Sequence, residues 1–167
     1  KEFAPHFHRA LKLHPSIQDY QKTDKYQANS YIVIAPASVW FTKQYPKEKW
    51  VEFLTEVQGF KTLIIGAPSD KELANEIINN SKNSNIENLC GKLNLLQSAA
   101  LMRNAKMCYV NDSAPQHLAS SVNANTTALF CSTVSSFGFG PLSENSVVIE
   151  NDLNLTCRPC GLHGHKE

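Results

Sequence analysis

Short apolar runs alternate with amphipathic stretches along most of this chain. Tyr31-Ile32-Val33-Ile34, Thr62-Leu63-Ile64-Ile65, Met107-Cys108-Tyr109-Val110 and Thr127-Ala128-Leu129-Phe130 are bounded by turn formers, which predicts buried strands. Two weaker runs, Ile86 to Cys90 and Ser146 to Ile149, predict further strands. Between them the period changes. Trp50, Val51, Phe53, Leu54 and Val57 recur at helical spacing, with Gly59 as the expected stop. Leu73, Ala74, Ile77 and Ile78 share one face of the next helix, and Ser69 followed by Glu72 reads as its capping box. Leu95, Leu96, Ala99, Ala100 and Leu101 mark a helix over 94–104.

Strand and helix alternate at about 20–30 residues per unit, the pattern of a parallel sheet covered on both faces. The expected class is therefore α/β, with a Rossmann-like, doubly wound parallel sheet. Ligands bind such sheets outside the carboxyl ends of the strands. The polar loops 35–46, 66–70, 91–94, 111–117 and 131–141 all leave strands on that side. Residues 1–30, with a short amphipathic piece from Phe7 to Leu13 and a polar Lys- and Gln-rich run, read as a linker or the tail of a preceding element. Residues 31–156 read as the domain, and 157–167 as a Cys-containing tail.

The segment from Met107 to Val122 organises the rest. A strand runs into the turn Asn111-Asp112-Ser113-Ala114-Pro115-Gln116-His117 and then a helix. Pro115 suits a first helical position. The first amides of a helix have no partner within it, so the turn predicts a pocket for phosphate oxygens beside Ser113 and His117. The plainer alternative is an Asp and a Ser capping an ordinary helix, with His117 on its surface.

Composition narrows the choices. Sixteen basic and fifteen acidic residues, without a basic block, argue against a nucleic-acid partner. No apolar run is long enough to span a bilayer as a helix. The chain opens Lys1-Glu2-Phe3, which reads as a piece of a longer protein. Cys90, Cys108 and Cys131 sit in or beside apolar runs and read as small buried hydrophobes of a reducing compartment. Cys157-x-x-Cys160 with His163 and His165 invites a zinc reading, but closely spaced ligands in a tail do not easily close a tetrahedral site, and no metal is expected. Pro159 and Gly161 argue against a redox pair, which normally begins a helix.

No Gly-x-Gly-x-x-Gly or Walker loop follows a strand, which disfavours a hydride-transfer enzyme or a P-loop ATPase. Lys43, in a loop with Ser38 and Thr42, suits phosphate oxygens; otherwise it is a solvated surface lysine. Asp70 sits where an acidic residue can accept from ribose hydroxyls; otherwise it is a helix N-terminal charge.

With these loops in place the chain resembles glycosyltransferase family 9, the bacterial ADP-heptose:lipopolysaccharide heptosyltransferases, in their C-terminal half. Ala35-Pro36-Ala37-Ser38-Val39-Trp40 with Thr42-Lys43-Gln44-Tyr45-Pro46 is similar to the family's Pro-Gly-Ala-Ser…Lys-Arg-Trp-Pro stretch. Ile65-Gly66-Ala67-Pro68-Ser69-Asp70 resembles its Gly-x-x-x-Glu/Asp loop. Asn111-Asp112-Ser113-Ala114-Pro115-Gln116-His117-Leu118-Ala119 resembles Asp-Ser/Thr-Gly-x-x-His-Leu-Ala.

The resemblance implies the C-terminal domain of a GT-B fold, holding ADP-heptose as donor substrate with no cofactor. It implies inverting, metal-independent transfer to the lipopolysaccharide inner core, in the cytoplasm, with peripheral contact at the inner face of the inner membrane. Carried over by position, Ser38, Val39 and Lys43 contact the diphosphate, Asp70 the ribose and Leu93 the adenine. Asp112 contacts the donor's sugar, while Ser113, Ala114 and His117 hold phosphate. Ala114 and Ala37 stand where the family prefers Gly, which narrows backbone approach. The catalytic base and the acceptor site belong to the N-terminal half, so this half alone is expected to be inactive. A stand-alone nucleotide- or sugar-phosphate-binding module is the alternative. Lys43 lies on a loop, so its loss is expected to touch turnover more than stability.

Overall fold

The computed structural model describes residues 12–27, 30–151 and 155–164. Six strands form one sheet: β1 (Tyr31–Ala35), β2 (Lys61–Ile64), β3 (Ile86–Asn88), β4 (Met107–Asn111), β5 (Thr126–Phe130) and β6 (Ser146–Glu150). Their order is β3-β2-β1-β4-β5-β6, and every pairing is parallel. Among the described residues five α-helices cover it: α1 (Ile17–Asp24), α2 (Lys47–Glu56), α3 (Lys71–Asn80), α4 (Leu95–Arg103) and α5 (Ala114–Ser121).

Alternation along the strands divides the core in two. Val33, Ala35, Leu63, Cys108, Val110, Ala128 and Phe130 face α4 and α5, meeting Leu101, Met102 and Ala119. Ile34, Ile64 and Leu129 face the other way, onto Trp50 and Leu54 of α2 and Ala74 and Ile77 of α3. Side chains such as Ile34, Leu54 and Leu63 are fully buried, and each contributes roughly 1.5–3 kcal/mol. This two-faced burial makes the sheet doubly wound, as its apolar runs predict.

Four local expectations change. Within the stretch read as a linker or the tail of a preceding element, residues 16–27 carry α1. Ser16 and Asp19 form a reciprocal capping box at the start of α1, and the helix packs against α4. Tyr26, just past its end, enters the core. The Phe7–Leu13 piece lies outside the described residues except for Lys12 and Leu13. Gly59 does not stop α2; the helix ends at Glu56, with the Val57 amide bonding back to the Phe53 carbonyl. Ser69 and Glu72 do not cap α3. A 3-10 turn, Pro68–Asp70, precedes that helix, and the Asp70 carboxylate accepts the Ala67 amide at 2.7 Å. Finally, the tail is part of the domain: Arg158 and its neighbours fold back onto the loop after β5.

β1 and β4 are adjacent at the centre, with Ala35 opposite Val110. The chain leaves β1 toward β2 on one side and leaves β4 toward β5 on the other. The loops after these two strands therefore diverge and open a crevice between them, the usual ligand position in such sheets.

Candidate donor-binding site

The crevice is a cavity of about 1000 Å³. Its lining includes Ser38 and Val39 after β1, Gly66 and Asp70 after β2, Leu93 after β3, and Ser113, Ala114 and His117 at the start of α5. Seven of the nine residues singled out from the sequence thus share one concavity; Lys43 and Asp112 do not line it. They meet beside it, Lys43 Nζ 2.7 Å from Asp112 Oδ2, with Asp112 adjacent in sequence to Ser113. Both side chains are largely withdrawn from water, 13% and 6% exposed. Lys43 is not a solvated surface lysine.

Small residues shape the second loop. A Cβ on Gly66 would come within 2.8 Å of the Asp70 carboxylate and 3.1 Å of Cys90 Sγ. Asp70 is therefore folded back over its own turn, accepting from the Ala67 amide and the Ser69 hydroxyl. Gly91 follows with φ +74°, and a Cβ there would meet Pro68. Leu93, next along, is half-buried and packs on the core while lining the cavity.

The central turn departs from expectation in detail. Pro115 is the second residue of α5 rather than the first. Ser113 occupies the N-cap position, yet its hydroxyl makes no cap bond and lies 3.4 Å from the Asn111 carbonyl. Asp112 does not cap either; besides Lys43 it accepts the Thr133 hydroxyl at 2.7 Å. The plainer capping reading therefore fails for both side chains.

Three further residues hold the site together. Asn111, fully buried, donates to the Pro36 carbonyl at 2.8 Å and accepts the Tyr45 amide at 3.1 Å, clasping both ends of the loop that carries Ser38 and Lys43. Thr133 anchors Asp112. Arg158 donates to the carbonyls of Phe130, Cys131, Thr133 and Asn151 and to the Glu150 carboxylate. Asn111 stands in the turn 111–117 and Thr133 in the small-residue loop 131–141, but neither was singled out, and Arg158 lies between the two cysteines of the tail. Ser38 and Thr42 do not gather around Lys43: Ser38 Oγ accepts the Trp40 amide, and the Thr42 hydroxyl donates to the His163 carbonyl.

The cysteines divide by burial. Cys90 and Cys108 are buried, Cys131 is half-buried, and all five are free thiols. Burial pushes the Cys90 thiol up to about 11 and Cys108 further still. Among the described residues no three His, Cys, Asp or Glu side chains gather as a metal centre requires. His165 lies outside the described residues, and the His163 ring stacks on Trp40 at 4.4 Å.

Glu150 gives a pH prediction. Burial raises its carboxyl, but hydrogen bonds from Ser135 and the charge of Arg158 outweigh burial and hold it below the usual value. A lowered folded pKa stabilises fully above the unfolded carboxylate value of about 4.3 and stops doing so as pH falls through the folded value. Glu150→Gln should therefore lower stability at pH 7, and urea titrations should show the difference from the unaltered protein shrinking below pH 4 or so.

Known proteins resemble this chain in sequence and fold. The family model for glycosyltransferase family 9 (heptosyltransferase) matches residues 7–165, nearly the whole chain. The chain belongs to glycosyltransferase family 9. It is 28% identical over 122 residues to lipopolysaccharide heptosyltransferase 3 of Escherichia coli, covering 71% of this chain and 36% of that protein. The E. coli ADP-heptose lps heptosyltransferase II structure superposes with a TM-score of 0.74 at 22% identity, covering 89% of this chain and 50% of that one. The E. coli heptosyltransferase WaaC with ADP superposes at 0.65 and 23% identity, covering 74% and 37%. The chain thus spans about a third of its curated relative and half or less of these two solved structures. Among the described residues no helix of this family 9 domain is long and apolar enough to cross a membrane.

Proposed function

We propose that this domain is the donor half of an inverting heptosyltransferase that moves heptose from ADP-heptose to the lipopolysaccharide inner core. The observation that supports the reading best is the Lys43–Asp112 pair set beside a cavity lined by Ser38, Val39, Asp70, Leu93, Ser113, Ala114 and His117. Family membership and the ADP named in the WaaC structure favour an adenine nucleotide as the occupant.

In this reading Leu93 lies along the adenine. Asp70 takes the ribose hydroxyls; a carboxylate already accepting two hydrogen bonds retains lone pairs for more. Ser38 and Val39 approach the diphosphate from one side. Ser113, Ala114 and His117 approach it from the other, where the first amides of α5 add partial positive charge. Negative charge grows on the departing diphosphate in the transition state. The amides are fixed before it forms, and Lys43, held beside the cavity by Asp112, needs only a short turn to reach it. No metal is required. Asp112, beside the cavity and not in its lining, contacts the donor's sugar from that edge, and the acceptor hydroxyl is deprotonated by a base in the other half of the enzyme, working in the cytoplasm at the inner membrane face.

Calorimetry on the full-length protein tests this. ADP and ADP-heptose should both bind, and ADP-heptose should be consumed in the presence of core acceptor. Absence of ADP binding would remove the reading; binding without transfer would favour a stand-alone nucleotide-binding module.

A further inference from the structure

Of the terminal Cys157-Arg158-Pro159-Cys160 segment, the arginine reaches furthest into the domain, its side chain 10% exposed. Nε donates to the Cys131 carbonyl at 2.9 Å, and Nη2 to the Thr133 carbonyl at 2.7 Å and the Phe130 carbonyl at 3.2 Å. Nη1 reaches the Asn151 carbonyl at 3.0 Å, and the Glu150 carboxylate lies 3.2 Å from Nη2. A planar fork with five donors can hold these diverging acceptors; a lysine ammonium cannot.

Thr133 is then gripped from two sides. Its carbonyl is bonded by Arg158, and its hydroxyl donates to the same Asp112 oxygen that pairs with Lys43. The segment also reaches the loop that carries Lys43: the His163 ring stacks on Trp40, and its carbonyl accepts the Thr42 hydroxyl. One stretch of chain thus braces both loops whose side chains converge on Asp112.

We propose that Arg158 is a positioning residue for the Lys43–Asp112 pair, acting through Thr133, and that it thereby sets how strongly the site favours a second phosphate. This rests on the donor-site reading above. Arg158 touches no ligand in this scheme; it fixes the loop geometry that lets Lys43 meet the β-phosphate.

The test compares ADP with AMP, which lacks that phosphate, by calorimetry on the full-length protein. Arg158→Gln should weaken ADP about tenfold and leave AMP within about twofold, because only the hydrogen-bonded charge at the second phosphate is displaced. Thr133→Val should reproduce this selective loss, Thr133→Ser should restore it, and Arg158→Gln with Thr133→Val should be no worse than either alone. Equal weakening of ADP and AMP, additive effects, or unchanged affinity in Arg158→Gln would overturn the proposal. Should Arg158→Gln not fold, Thr133→Val decides by the same ADP-to-AMP criterion. If Lys43→Ala abolishes the ADP preference while Arg158→Gln and Thr133→Val keep it, Arg158 has no such role and the donor reading stands. If the unaltered protein binds neither nucleotide, both fall.

Discussion

Lys43→Ala should cost the full-length protein both its donor chemistry and part of its stability. Removing one preorganised donor from a developing oxyanion typically lowers kcat by about a hundredfold or more. That loss follows from the donor-site reading proposed above. The structure adds a second loss, because the partner left behind is Asp112, only 6% exposed at its side chain. An unpaired buried carboxylate is expensive, and the Thr133 hydroxyl offsets only part of the cost. We expect about 2–3 kcal/mol of destabilisation in urea titrations, less than a wholly dry pair would lose. Turnover is still expected to suffer more than stability; the buried partner makes the stability loss measurable as well. Lys43→Ala with Asp112→Asn separates the two effects. It should recover about 1 kcal/mol or more, since no charge is stranded, and it should leave ADP binding and turnover lost. Full stability in Lys43→Ala would mean that the pair contributes nothing to the fold.

Asn111→Ala should produce the other large effect. The carboxamide is fully buried and bonded at both ends, donating to Pro36 and accepting from Tyr45. Alanine strands the buried Pro36 carbonyl and the half-buried Tyr45 amide. Each costs about 1–3 kcal/mol, so a loss of about 2–4 kcal/mol is expected by chemical denaturation. Asn111→Asp should not rescue it: a carboxylate can take the Tyr45 amide but cannot donate to Pro36, and its charge would be buried. Because the clasped loop carries Ser38 and Lys43, ADP affinity should fall in the same variants. A change below about 0.5 kcal/mol would show that other contacts hold the loop.

The parallel sheet was legible because buried strands leave short apolar runs that depend on little else. Helix α1 was not. Its buried side chains are Asp19 and Thr23, and its one aliphatic residue, Ile17, is 77% exposed. An apolar period could not reveal it; the Ser16-x-x-Asp19 capping pattern was the available signal. Asp70 shows the opposite error. Ser69 and Glu72 fit the capping template, yet the crowding around Gly66 and Cys90 leaves Asp70 as the side chain folded over the turn. At the site, seven of the nine residues picked from the loop motifs line the cavity, since its walls lie within a few positions of a strand end. The residues that steady them did not show. Asn111 passes for turn chemistry, and Arg158 sits inside a cysteine pattern that draws attention to metal. Their partners are backbone carbonyls far away in sequence, and composition carries no trace of those.

The central pairing of β1 with β4 also bears on how the chain reaches its native state. Strands β1 to β3 and strands β4 to β6 are each contiguous in sequence, so either block can assemble through comparatively local closures. The Lys43–Asp112 pair and the Asn111 clasp each join one block to the other. The crevice therefore comes into being only when the longest loop in the sheet has closed, and folding rate and binding competence share that entropic step.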